Sequence, residues 1–185
     1  MLRRPVAPML AAPVDIMLEG PGLVHEPKWD GWRMIAFRET DGPYLQSRAG
    51  RNLSSYFPDI TQAIRSAVPP GVVLDGELIV WEHGRTSFAQ LQRRVTAGRD
   101  LPRLAHECPA HYVLFDLLAD TGGQVILNLP LSQRRARLQR LLADAPPQLT
   151  LPPTDGRHAA GVGLAAALDR GRHRRRGQQT RGPPV

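Results

Sequence analysis

Lysine is almost missing from this chain of 185 residues. Of its 24 strongly cationic side chains, 23 are arginine and one, Lys28, is lysine. Arginine stays protonated in proteins, whereas lysine can lose its proton near neutral pH and attack an electrophile. Any side-chain amine nucleophile must therefore be Lys28. Cysteine is equally scarce. Cys108 stands alone, so no internal disulfide can form; a catalytic thiol is open beside the plainer reading of a partly buried residue. No apolar run has the length of a membrane helix. The start, Met1-Leu2-Arg3-Arg4-Pro5, opens like a secretory signal, but Pro5, Pro8, Pro13 and Asp15 interrupt the apolar stretch such a signal needs. The chain is expected to be a cytoplasmic monomer with no membrane partner. None of the six histidines has metal-ligand spacing, and the near pair His106 and Cys108 lacks a second pair to complete a zinc site. There are no internal repeats.

The net charge of +7 points to nucleic acid, but it is unevenly placed. Residues 1–156 carry a net +1, and residues 157–185, with seven arginines against Asp169, carry +6. DNA binding by the body has to rest on particular residues.

Up to about residue 155 the pattern is that of one α+β domain. Arg33–Arg38 and Tyr44–Ser47 read as strands around the Asp41-Gly42 turn signal. Phe57-Pro58-Asp59 opens a helix with Ile60, Ile64 and Val68 on one face. Val72–Leu74 and Leu78–Trp81 read as two buried strands flanking Asp75-Gly76-Glu77. Ser87-Phe88-Ala89-Gln90 has capping-box spacing and starts a helix to about Gly98. His111–Leu118 is a further strand, and Ser132 caps a helix through Asp144 with Leu138, Leu141 and Leu142 inward. Paired strands with intervening helices favour a mixed or antiparallel sheet over a doubly wound one. Arg93-Arg94 and Arg134-Arg135 are expected on solvated helix faces, with phosphate contact as the alternative. Gly171–Val185 has one apolar residue, Val185, and is expected to be disordered.

Lys28 sits in Glu26-Pro27-Lys28-Trp29-Asp30-Gly31, followed by Arg33. This resembles the first motif of the covalent nucleotidyltransferases: ATP-dependent DNA ligases, RNA ligases and mRNA capping enzymes. Ser47-Arg48-Ala49-Gly50, Asp75-Gly76-Glu77 and Phe115-Asp116 resemble the next three motifs, in order. Glu26–Gly31 together with Ser55-Tyr56-Phe57-Pro58-Asp59 is most similar to bacterial ATP-dependent DNA ligases of the end-joining type. The resemblance covers roughly residues 6–155 and implies an adenylation domain with an ATP-grasp-like, mixed-sheet fold.

It also implies a chemistry. The lysine attacks the α-phosphate of ATP and releases pyrophosphate, leaving lysyl-AMP; AMP passes to the 5′-phosphate of a nick, and the 3′-hydroxyl displaces it. An exposed lysine, with a pKa of about 10.4, needs desolvation or nearby cations to become neutral. The transfer is mostly positioning and electrostatics. By the same resemblance, Lys28 is the catalytic nucleophile. Glu26 and Pro27 line the adenine pocket. Arg33 and Arg48 contact ribose, phosphates or the nick 5′-phosphate. Glu77 holds the ribose hydroxyls and assists a metal, Mg²⁺ or Mn²⁺, and Phe115 stacks on adenine. Nicked double-stranded DNA and end-joining repair proteins are the implied partners. Taken singly, Asp30-Gly31 and Asp75-Gly76 are turn dipeptides and Phe115 is a core residue.

The chain departs from the family in one respect. Two later motifs each need a lysine, and no lysine follows Lys28; the OB-fold that usually follows is expected to be missing as well. Impaired catalysis is expected. One permitted codon set for Arg172–Thr180, read one base on, spells Ala-Ile-Asp-Gly-Val-Val-Ser-Lys, which fits the first missing motif. Residues from about 156 onward are thus expected to be a frameshifted reading of a longer gene. The alternative is a natural Arg-rich tail that binds nucleic acid. Two other functions remain open: a non-catalytic nucleotide- or DNA-binding remnant, and an RNA ligase or capping-type enzyme.

Overall fold

A computed structural model of the chain describes residues 2–10, 12–13, 15–16 and 25–152. The expected disorder and frame of the tail beyond 155 lie outside the described residues. In chain order the elements are β1 Trp32–Arg38, β2 Pro43–Ser47, α1 Pro58–Ala67, β3 Val73–Glu82, β4 Arg85–Thr86, α2 Phe88–Thr96, α3 Leu101–Glu107, β5 Ala110–Ala119, α4 Leu131–Leu141 and β6 Leu149–Thr150. The strands form one mixed sheet in the order β2-β1-β3-β5-β6, with β4 pairing β3 as a hairpin. Every pairing is antiparallel except β5 with β6. This is the α+β architecture expected.

Strand alternation splits the side chains between two faces. Met34 and Ala36 of β1, Leu74, Leu78 and Val80 of β3, and Tyr112, Leu114 and Leu117 of β5 share one core with Ile60 and Ile64 of α1, Leu91 of α2 and Leu138 of α4. Helix α1 starts with Pro58 in its first turn, where a missing N–H costs nothing, and buries Ile60, Ala63 and Ile64 at helical spacing. Each such isoleucine contributes about 1.5–3 kcal/mol of burial. The other face of the sheet carries two smaller apolar clusters. Ile35, Phe37, Val73, Leu118 and Ala119 form one; Ile79 and Val113, with Trp29 and Trp81 against them, form the other.

Four expectations need correction. Residues 73–82 are one continuous strand, so Asp75-Gly76 lies inside β3 and is not a turn. Ser87 precedes α2, but its hydroxyl and the Gln90 amide both donate to the Glu82 carboxylate, so no capping box forms. Helix α4 is capped by Pro130 and holds Ser132 within its first turn. Finally, the arginine pairs are not solvated throughout. Arg94 is 1% exposed, pairs with Asp59 at 2.9 Å and donates to the Cys108 carbonyl, while Arg135 is 6% exposed.

Candidate functional site

The segment that carries Lys28 has no regular structure before β1, so its position depends on side-chain anchors. Gly31 passes so close to β3 that an added Cβ would strike the Leu78 carbonyl oxygen and lie 2.8 Å from Ile79 Cγ2 and 2.9 Å from Glu77 Cγ. Here glycine allows close approach to a neighbouring strand, a use quite different from a turn. Trp29 meets Trp81 edge-on, with ring centres 6.0 Å apart, and packs on Ile79 and Val113. Glu26 pairs with Arg135 of α4. Lys28 itself is exposed.

Between the two apolar clusters on this face of the sheet lies a polar strip crossing three strands. The register sets Arg33 opposite Glu77 and Ile35 opposite Asp75. Arg33 donates to both Asp75 oxygens, Nε to Oδ1 at 2.6 Å and Nη2 to Oδ2 at 2.7 Å. Its guanidinium carbon lies 4.3 Å from the centre of the Phe115 ring. Between β3 and β5, Asp75 pairs with Asp116 and Gly76 with Leu114, which leaves Phe115 unpaired in a bulge. Bulges re-aim side chains, and Phe115 is half-buried at the cleft. Gly76 has to be glycine, because a Cβ there would strike the Val113 carbonyl oxygen and sit 2.7 Å from Tyr112 Cε2.

Burial dominates the carboxylates of the strip. It raises the Asp75 pKa, aided by Asp116, despite the opposing bonds from Arg33. Burial would lower the pKa of Arg33, but its bonds to Asp75 outweigh that and leave it raised. The largest shift belongs to Glu77, whose pKa is pushed up to about 7 by burial, with Asp75 and Asp30 adding and Arg33 and Lys28 opposing. A carboxyl group that titrates near neutrality beside the chain's one lysine is a functional-site signature.

These residues share one space. Glu26, Pro27, Lys28, Arg33, Arg48, Glu77 and Phe115 all line a single cleft of about 1590 Å³. Arg48 reaches it from the turn after β2, where the Ser47 hydroxyl accepts a bond from the Arg51 amide at 2.9 Å. The wall beyond is formed by α2, through Phe88 and Arg93. Among the described residues no group of three or more His, Cys, Asp or Glu is gathered where it could hold a metal ion; Glu77 and Glu26 are the carboxylates that line the cleft.

Sequence reading named Asp75, Asp116, Trp29 and Arg135 within motifs or as part of a basic pair but gave none of them a place among the site residues. Asp75 looked like half of a turn, and Arg135 finds its partner 109 residues away, so no local pattern announces it. A buried arginine one residue from Arg134, itself paired with Asp116, leaves at most a doubled basic residue in the sequence.

The model for the ATP dependent DNA ligase domain matches residues 8–155. DNA ligase C2 of Mycolicibacterium smegmatis is 39% identical over 150 residues, covering 80% of this chain and 42% of that protein. DNA ligase C of Mycobacterium tuberculosis is 42% identical over 135 residues, covering 72% and 37%. Among solved structures, a mycobacterial DNA ligase D complexed with ATP and MES superposes with a TM-score of 0.53 at 28% identity, covering 79% of this chain and 44% of that one. The chain thus spans about two fifths of the length of these relatives.

Proposed function

The chain belongs to the ATP-dependent DNA ligase family, and from that premise we propose that its cleft forms a lysyl-AMP intermediate for sealing nicks in DNA. The observation that carries this reading is the cleft itself: residues from four separate parts of the sequence line it, with the sole lysine among them.

Neutral Lys28 Nζ attacks the α-phosphorus of ATP. An N–P bond forms, the bond to the bridging oxygen breaks, and pyrophosphate leaves. A 5′-phosphate oxygen of nicked DNA then attacks the same phosphorus, and the N–P bond breaks to return the lysine. Last, the 3′-hydroxyl attacks the 5′-phosphorus and AMP departs. Phe115, angled into the cleft by its bulge, offers a face for adenine. Glu77, when ionised, accepts from the ribose hydroxyls. Arg48 is exposed at the cleft and is available to phosphate; Arg33, held by Asp75, supplies fixed positive charge beside Phe115. A divalent cation, Mg²⁺ or Mn²⁺, would add charge neutralisation at the phosphates, with Glu77 the carboxylate placed to help hold it. One protein carboxylate plus substrate phosphates is a usual arrangement for magnesium. Nicked double-stranded DNA, in repair or recombination, is the proposed substrate.

Incubation with α-labelled ATP and Mg²⁺, followed by denaturing electrophoresis, tests this directly. A labelled, acid-labile and pyrophosphate-reversible adduct is expected, and Lys28→Arg should abolish it, because arginine keeps the charge without a neutral form. Label that survives the substitution would sink the assignment. ATP binding with no adduct in the wild-type chain would favour a nucleotide-binding remnant.

A further inference from the structure

Two neighbouring arginines of α4 touch the site from behind. Arg134 donates from Nε to Asp116 Oδ1 and from Nη2 to Oδ2, each at 2.8 Å, and from Nη1 to the Leu129 carbonyl at 2.6 Å. Asp116 directly follows Phe115. Arg135 bonds Glu26 through Nη1 and donates from Nη2 to the Pro152 carbonyl at 3.2 Å. Glu26 precedes Lys28 by two residues. A single turn of one helix therefore grips both sides of the cleft, the strand that aims Phe115 and the irregular segment that carries Lys28. Neither arginine is among the residues that line the cleft.

The burial is asymmetric. The Arg135 side chain is 8% exposed, whereas the Glu26 side chain is 28% exposed. A guanidinium buried that far is costly unless a carboxylate meets it. That cost holds Glu26 against α4 and, with it, the chain that leads into Lys28. The anchor at Gly31 fixes the far end of the same segment. Lys28 therefore lies on a short span between the Glu26 ion pair and the close approach of Gly31 to β3.

We infer that Arg135, braced by Arg134 on the same turn, is a positioning residue: by holding Glu26 it sets the lysine wall of the cleft at a fixed distance from Phe115. The inference rests on the nucleotide reading of the cleft. Arg135 is remote from solvent, is tied into backbone at Pro152 and lies outside the cleft lining, so it acts as a strut through Glu26, which does line the cleft.

Calorimetric titration of the full chain with ATP and Mg²⁺ tests it. Arg135→Met and Glu26→Gln should each weaken ATP binding by about tenfold, or about 1.4 kcal/mol. The double variant should lose no more than the worse single one, because the two residues act through one contact. Arg94→Met is the control. It removes another buried arginine, paired with Asp59, and should lower the thermal midpoint while ATP affinity of the folded protein stays as in wild type. Glu26 is exposed, so Glu26→Gln reports even where Arg135→Met does not fold. A wild-type chain without ATP affinity overturns the nucleotide reading and this inference with it. Wild-type binding of ATP, with Glu26→Gln within about twofold of it or with additive losses in the double variant, overturns this inference alone.

Discussion

Glu77 has one of the largest roles a single residue plays here, because its ionisation sits near neutral pH. Its carboxyl titrates near 7 in the folded chain, against an ordinary value of 4.5. The folded state thus holds this proton more tightly than the unfolded state does. The resulting stabilisation is fully present below about 4.5 and is lost as the pH rises through 7. Thermal midpoints measured between pH 4.5 and 8 should therefore fall more steeply in wild type than in Glu77→Gln. Parallel curves for the two proteins would show that Glu77 is not the group responsible. Nucleotide binding should run the other way and strengthen through pH 7, since ionised Glu77 is the better acceptor for ribose hydroxyls. Phe115 makes a second test at this scale. As a stacking surface its replacement by alanine should weaken ATP binding by about 1–3 kcal/mol. A fully buried phenylalanine would instead lose roughly 3–5 kcal/mol of stability, and the half-buried bulge position predicts less than that. Unchanged ATP affinity in a strongly destabilised protein would return Phe115 to the core.

At the scale of elements, much of the strand–helix pattern of residues 32–141 was readable from the sequence; β4 and α3 were not expected, and two of the misreadings share a cause. Apolar residues marked β1, β2, α1, β5 and α4, at helical spacing in α1, where Ile60 and Ile64 are buried, and as runs buried on both faces in β1 and β5. Asp75 and Gly76 broke the pattern locally, and so β3 read as two strands. What keeps it continuous is remote: Arg33 from β1 satisfies Asp75, and the space above Gly76 is taken by Tyr112 and Val113 of β5. The arginine pairs misled for the same reason. Arg94 and Arg135 are buried because carboxylates 35 and 109 residues away meet them, and spacing along the helix carries no trace of that. The site residues were legible through motif resemblance; their convergence on one cleft needed the sheet register. Gly31 shows the limit well, since its dipeptide reads as a turn and its real constraint is the neighbouring strand. Gly31→Ala should push the lysine segment off β3, at an expected cost of about 1–3 kcal/mol in stability, typical of overpacking, and should slow adduct formation. Normal stability together with normal adduct formation would show that the segment has room to spare.

At the scale of the whole molecule, charge and fold are separated along the chain. The main core is built from residues between Met34 and Leu149, in a stretch of sequence close to neutral, while residues 157–185 carry seven arginines and a net +6. No helix among the described residues is long and apolar enough to cross a membrane. Two behaviours are predicted for a version ending at residue 156. Its thermal midpoint should match that of the 185-residue chain, because the described core lies wholly within it. Its sequence-independent DNA binding should weaken sharply and lose salt dependence, by up to roughly six in the slope of log affinity against log salt if all seven arginines meet phosphates. Sealing is a separate matter, because arginine cannot stand in for the deprotonating or point-charge roles of lysine. With Lys28 as the only lysine in the chain, the 185-residue polypeptide alone should form the adduct more readily than it joins nicks. Titration of both versions against duplex DNA at several salt concentrations, alongside a nick-joining assay, would decide the point. Equal salt slopes would remove the segment from DNA binding, and efficient multiple-turnover joining by the chain on its own would mean that arginines at the cleft, such as Arg48, suffice at the α-phosphate.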